Sequence, residues 1–415
     1  MSSPSSDFKP IRNLIVQGLL CTFISAIALN IVSAASLNYE NPEILVSPPP
    51  AVTALSAIFS IVFFYGVIVC WIASCRYARY KGYSWLLGFV AGALNIFGLG
   101  FIFILDNKRS SNSAISDNDF DSFNVWSIMV AFVIIPMCLY PLAVVGLAIF
   151  TDATWNEAFT FYGNENFVYP ISIGMQFAFL WYFYRRFKLS HINFDWLLGK
   201  TKVNFVTPLV LAIALFFFAI GINPLTLYVI SLISPEAIKM LAVKGVPDTY
   251  LGFASFAFLA ILVAPIWEEL FFRGLLLQKG SYRKNITFGI VVSSFVFAII
   301  HQRYDIIPLF IFGVVCALLY LKTKRLLASV SLHFFYNIIA VSYSFYYYVV
   351  AKKEVPVFDD GTRYQEYFKD NLSLSILFVV LSSAYLFYFI YKNYPRHNDI
   401  NKLPYYVNRA RSEQN

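Results

Sequence analysis

Charge is what this 415-residue chain has least of: Asp, Glu, Lys and Arg make up 13% of it, against about a quarter of a soluble domain. It also lacks paired cysteines. Cys21, Cys70, Cys75, Cys138 and Cys316 lie in or beside apolar runs with no C-x-x-C pair, so they read as small hydrophobes rather than a disulfide framework or metal knuckle. Repeats and low-complexity tracts are missing, and no polar stretch is long enough to fold alone; the largest, near 106–123, 351–370 and 392–415, are loop or tail sized. These absences exclude a cytosolic enzyme and a secreted disulfide scaffold. A nucleic-acid binder is excluded too, because the net charge of +8 is broken into short clusters between apolar segments instead of covering one soluble face.

What fills the chain is apolar, 59% by the AVILMFWYC count. Scanning for stretches of about 20 apolar residues finds runs at 14–36, 51–75, 84–105, 124–150, 168–184, 205–233, 250–277, 286–301, 306–321, 326–350 and 371–391. Lys9 and Arg12 precede the first and Ser33, Ala34 and Ala35 close it like a cleavage site, but its apolar part is too long for a signal peptide and reads as a retained helix. The expected fold is all-α, a polytopic transmembrane helical bundle of about ten spans plus one re-entrant segment.

The re-entrant segment follows from charge. Arg76, Arg79 and Lys81 read as cytoplasmic, and simple alternation would then put Lys108 and Arg109 outside. The run between them carries Gly88, Gly92, Asn95, Gly98 and Gly100, so a broken hairpin returning to its own side resolves the conflict. Arg185, Arg186, Lys188, Lys200 and Lys202 then fall inside, with Lys279, Arg283, Lys284, Lys322, Lys324, Arg325 and the C-terminal tail. Glu40, Glu43, Glu157 and Asp359 fall outside, together with Lys352 and Lys353. Both termini are expected in the cytoplasm, in a multi-pass integral membrane protein that sits in the cell membrane if its source is prokaryotic. Four regions emerge: 1–200, an N-terminal transmembrane region of unassigned role; 201–249, a connecting helix and loop; 250–345, which holds the polar motifs; and 346–415, the last span and a basic tail.

Five ionisable groups interrupt the apolar runs: Glu268, Glu269, Arg273, His301 and His333. Each Asp, Lys or Arg at a helix centre costs roughly 2.5–3.5 kcal/mol on insertion scales, so five within three helices demand a common purpose. Glu269 and Arg273 stand i,i+4 with the acid first, the favoured order for an ion pair. Glu268 points about 100° away from Glu269, free for another task. Phe297 with His301, and His333 with Asn337, repeat the i,i+4 spacing. Pro265 removes a backbone donor just upstream and is expected to kink its helix. Counted from the cytoplasmic ends of their helices at 1.5 Å per residue, Glu268 lies roughly 15 Å deep, His333 roughly 10 Å and His301 roughly 22 Å, which calls for a shared pocket in the cytoplasmic half or near the midplane.

The series Glu268-Glu269-x-x-x-Arg273, Phe297-x-x-x-His301, His333-x-x-x-Asn337 resembles the three-motif signature of the CPBP family, the type II CAAX prenyl endopeptidases and bacteriocin-processing intramembrane proteases also called Abi. The flanks agree: Ala264, Pro265 and Ile266 before the glutamates, Phe272 and Gly274 around the arginine, Leu327, Ala328 and Ser329 ahead of His333. The resemblance spans about residues 250–345 and says nothing of 1–200. It implies an intramembrane endopeptidase that hydrolyses a peptide bond in a membrane-associated peptide or protein. Glu268 would be the general base activating water, His301 would help hold that water, and His333 and Asn337 would stabilise the oxyanion. Glu269, Arg273 and Phe297 would be supporting residues.

A carboxylate in an apolar pocket suits a base, and imidazole and amide N–H groups suit an oxyanion. The family is classed with metalloproteases, but the chain lacks H-E-x-x-H. A divalent metal, zinc, on Glu268, His301 and His333 and a metal-free glutamate base therefore both stay open. Expected partners are the substrate and the lipid bilayer, with no nucleic acid; oligomeric state is not legible. Two other classes compete. A proton-coupled transporter would also bury carboxylates and histidines, but would show paired broken helices in two repeated halves. A catalytically idle immunity or scaffold protein would use the same fold. Neither G-x-S-G nor G-x-G-D is present for serine or aspartyl intramembrane chemistry.

Overall fold

A computed structural model of the chain describes residues 4–35, 50–93, 102–103, 105, 120, 123, 125–150, 164–190, 192–200, 202–233, 247, 249–301, 303–347, 361–396 and 399–414. Every regular element in them is helical: α1 (Pro4–Ala35), α2 (Pro50–Tyr80), α3 (Trp85–Ala93), α4 (Val125–Phe150), α5 (Glu165–Leu189), α6 (Phe194–Leu198), α7 (Val206–Ile233), α8 (Tyr250–Arg283), α9 (Ile286–Ile300), α10 (Ile306–Thr323), α11 (Leu326–Phe345), α12 (Gly361–Asp370), α13 (Leu372–Asn393) and α14 (Pro404–Glu413). The chain forms two compact units, residues 1–115 with 126–138, and residues 116–125 with 139–415.

Seven described helices are long and apolar enough to cross a membrane: α2, α4, α7, α8, α10, α11 and α13. Their outer faces carry exposed Ile61, Phe64, Leu142, Ile233, Val380 and Phe387, a surface that only lipid can cover without penalty. The protein is an integral multi-pass membrane protein. Three further apolar helices, α1, α5 and α9, fall outside that count of described residues. In α1 the described apolar stretch is Pro10–Ser25, and the apolar sequence continues to residue 36. α5 mixes Tyr, Trp and Arg into its 25 residues. α9 has only 15 residues, a rise of roughly 22 Å against a hydrocarbon core of about 30 Å.

In the first unit α1 packs along α2, and α3 folds back on α2. Gly88 and Gly92, expected to break the segment, lie inside α3. At Gly88 a Cβ would come within 2.5 Å of the Ser74 and Cys75 backbone, so glycine there buys close approach rather than a break. Lys81, just beyond α2, donates to the carbonyls of Ile102, Phe103 and Leu105. The far end of the excursion therefore returns to where it began, whereas a full span would carry Leu105 some 30 Å away. Ile102 joins Ile11, Tyr77, Ala78 and Ala91 in one buried cluster. Asn95, Gly98, Gly100, Glu40, Glu43, Lys108, Arg109, Glu157, His191, Lys352, Lys353, Asp359 and His397 lie outside the described residues.

In the second unit α10 is the axis: 61% of its apolar window is buried, against 22% for peripheral α13. It packs on α9 and α11, α7 packs on α11 and α13, and α8 lies against α5, α9 and α11. Lys279, expected as a loop charge, is 7% exposed and donates to the carbonyls of Phe120 and Phe123. The C-terminal tail is not merely a basic extension. It ends in α14, whose Tyr405 is fully buried and whose Asn408 Nδ2 donates to Trp196 O at 2.8 Å and Lys324 O at 2.9 Å. Lys324 itself takes the left-handed conformation, φ 57°, where α10 stops.

Candidate active site

The polar groups of α8 sit where that helix changes register. Two π-helical turns, Leu259–Val263 and Leu270–Leu277, flank the short α-helical stretch Ala264–Glu269. Pro265 stands at the start of that stretch, so its missing donor is absorbed by a change of register, and α8 runs on unbroken through Arg283. Inserted π turns rotate the residues that follow and are common at functional positions.

Glu269 and Arg273 pair as their spacing requires, Nη1 donating to Oε1 at 2.8 Å, both side chains fully buried. The pair is not closed on itself. Glu269 Oε1 also accepts from His333 Nδ1 at 3.0 Å, and Arg273 Nη2 donates to Gly313 O at 3.0 Å. Gly313 permits this because a Cβ would lie 2.8 Å from Ser294 Cβ; only glycine lets α10 come this close to α9. The guanidinium also lies 4.9 Å from the Phe297 ring centre, a cation–π contact in a dry setting. Breaking such a buried pair strands a charge, which costs about 3–5 kcal/mol.

His333 stands between the two glutamates. Its Nδ1 meets Glu269, and its Nε2 lies 3.9 Å from Glu268 Oε2. A carboxylate paired with arginine can only accept, so Nδ1 carries a hydrogen and Nε2 is the nitrogen turned toward Glu268. His301 repeats the pattern: its Nδ1 lies 2.7 Å from Phe297 O, an acceptor, and its Nε2 is again the free nitrogen. Glu268 is 8% exposed, and its Oε2 is buried without a hydrogen-bond partner. It interacts electrostatically with His333, His301, Glu269 and Arg273.

Phe297, 1% exposed, holds these groups together. Its ring lies 4.6 Å from His301 and 5.9 Å from His333. The depth mismatch counted along the helices thus closes through ring contacts. Phe312, which carried no signal in the sequence, lies 4.8 Å from the His333 ring and 5.5 Å from Phe297. Gly313 beside it was equally silent, because an apolar residue and a glycine in an apolar helix look like packing. Asn337 makes its hydrogen bond to the backbone of α8: its Nδ2 donates to Ala260 O at 2.7 Å.

Two imidazoles offering Nε2, with Nδ1 fixed by an acceptor, and a buried carboxylate are donors that zinc takes. As placed, however, no three His, Cys, Asp or Glu side chains among the described residues gather closely enough to hold an ion. The described residues do not fit a three-ligand centre in this arrangement.

Fold and site together define a multi-pass membrane protein with a glutamate–histidine cluster buried among its helices. Residues 250–339 match the family described as Type II CAAX prenyl endopeptidase Rce1-like. The chain therefore carries an Rce1-like domain, the family to which its three motifs point. No curated protein and no solved structure matches the chain.

Proposed function

We propose that the protein is an intramembrane endopeptidase of the CAAX-protease kind, cleaving a peptide bond in a membrane-associated peptide or protein with a water activated by Glu268. The observation that carries this reading is the unequal use of two adjacent buried carboxylates. Glu269 takes both Arg273 and His333 on Oε1, its Oε2 being buried without a partner, while the buried Oε2 of Glu268 has no donor at all and faces an imidazole nitrogen 3.9 Å away. A buried acceptor without a donor is costly unless a substrate or water completes it.

In the proposed reaction a water donates one hydrogen to Glu268 and the other to His301 Nε2. As its oxygen attacks the scissile carbonyl carbon, Glu268 takes a proton. The oxyanion is met by His333, which in this reading carries a hydrogen on each nitrogen from the outset and donates from Nε2, its Nδ1–H held by Glu269. Collapse breaks the C–N bond, and Glu268 returns its proton to the leaving amine. Glu269 and Arg273 act through His333 by fixing its orientation, with Nδ1–H toward Glu269. The polar residues of the site all lie between 260 and 337 rather than in two repeated halves, which disfavours a transporter.

The basic loops place the termini and the mouth of the site on the cytoplasmic side in this reading. The test is turnover of a lipid-anchored peptide by purified protein in bilayers. Glu268→Gln is expected to lose roughly 10²–10⁴-fold with an unchanged melting temperature; full activity overturns the mechanism. Turnover that survives strong chelation supports the metal-free path, and loss restored by zinc supports a metal centre on Glu268, His301 and His333.

A further inference from the structure

Asn337 lies one helical turn beyond His333, and its amide gives one of its two N–H hydrogens to the backbone of α8. The reason is legible in the register of that helix. In the first π turn the Ala264 N–H donates to Leu259 O, five residues back. Continued one step, that register pairs Ala260 O with the nitrogen of residue 265. Residue 265 is proline, which has no hydrogen to give. Ala260 O would then be a partly buried carbonyl without its helical donor, and the Asn337 Nδ2 supplies one at 2.7 Å.

We infer that Asn337 is a positioning residue: its amide replaces the N–H that Pro265 lacks and so pins the π turn that sets the rotation of Glu268, three residues further on. α11 then grips α8 twice, at Ala260 through Asn337 and at Glu269 through His333. The α-helical stretch bearing Glu268 lies between the two grips. The proline and the asparagine are one device, because either alone leaves a defect: proline without asparagine orphans a carbonyl, while asparagine without proline has nothing to replace. The consequence for turnover rests on the endopeptidase reading. The pin itself does not.

The experiment is a double-mutant cycle on the full chain, with melting temperature and steady-state kinetics read in parallel. Asn337→Ala is expected to lower the melting temperature and to reduce kcat with KM unchanged. Pro265→Ala restores an N–H, so Pro265→Ala with Asn337→Ala is expected to recover at least half of both losses. Pro265→Ser, which also restores the N–H, repeats the cycle should the alanine variant fail to fold. Additive losses in melting temperature overturn the pin. A recovered melting temperature with kcat still depressed overturns the positioning role and assigns Asn337 to the reacting atoms. If Glu268→Gln leaves turnover intact, the endopeptidase reading fails alone, and the melting cycle still decides the pin.

Discussion

The N-terminal unit and the Rce1-like segment solve the same problem, a cation inside an apolar bundle, in different ways. Lys81 is 7% exposed and donates to three backbone carbonyls. Arg273 is fully buried and pairs with a carboxylate that goes on to hold a histidine. The first arrangement only ties down a chain end, since peptide carbonyls neither titrate nor pass on a preference. The second transmits one: a guanidinium fixes a carboxylate, the carboxylate fixes an imidazole through Nδ1, and the other nitrogen faces Glu268. Burying charge is costly in both regions, but only the second arranges titratable groups in series.

The comparison breaks most visibly at the end of that series. His301→Ala and His333→Ala are each expected to lower turnover by about 10² or more while the protein still inserts and purifies. Activity within a few fold of wild type for His333→Ala, in the same bilayer assay, would reduce the series to packing.

Arg273→Ala should act on stability first. It leaves Glu269 buried without its cation, at a cost of about 3–5 kcal/mol, visible as a lowered melting temperature together with lost turnover. Glu268→Gln should not share the stability loss, and equal destabilisation by the two would erase the division of labour between the glutamates.

A smaller effect is expected from Lys81→Met, which orphans carbonyls at 102–105 at a cost on the order of 1–3 kcal/mol and should speed proteolysis of the first unit. The same region fixes topology. A cysteine at Ser113 is expected to label from the same side as one at Lys284, in a background without native cysteines. Lys284 is used because it is exposed, whereas Ser281 in the same turn is fully buried. Labelling from opposite sides would restore a full span at 84–105.

The smallest effect is a pH dependence. Burial, with Arg411 and Lys402 nearby, pushes the Lys324 ammonium down to about 8 from an ordinary 10.5. A folded state that holds its proton less tightly than the unfolded chain is penalised below about 8, and the penalty fades as pH rises toward 10.5. Wild type should therefore gain melting temperature between pH 7.5 and 9.5 relative to Lys324→Met; parallel curves would refute the coupling.

Sequence alone determined that the chain is an all-helical membrane protein, which helices carry the costly residues, and that Glu269 and Arg273 pair, because a lipid-facing helix must be apolar and i,i+4 neighbours meet without help from tertiary structure. The same rules misread Lys279 and gave no partner for Lys81, since a buried lysine satisfied by distant carbonyls has the same local sequence as one in a loop. They were silent on Phe312, Gly313 and Ala260, whose parts in the site come from ring faces and backbone carbonyls that any residue supplies. Only the packing of α11 against α8 decided that Glu269 answers to His333, that Glu268 is left with an open oxygen, and that Asn337 meets the carbonyl Pro265 cannot serve. Those contacts join residues 64 to 77 positions apart, and their geometry depends on two π turns that no periodicity in the apolar pattern encodes.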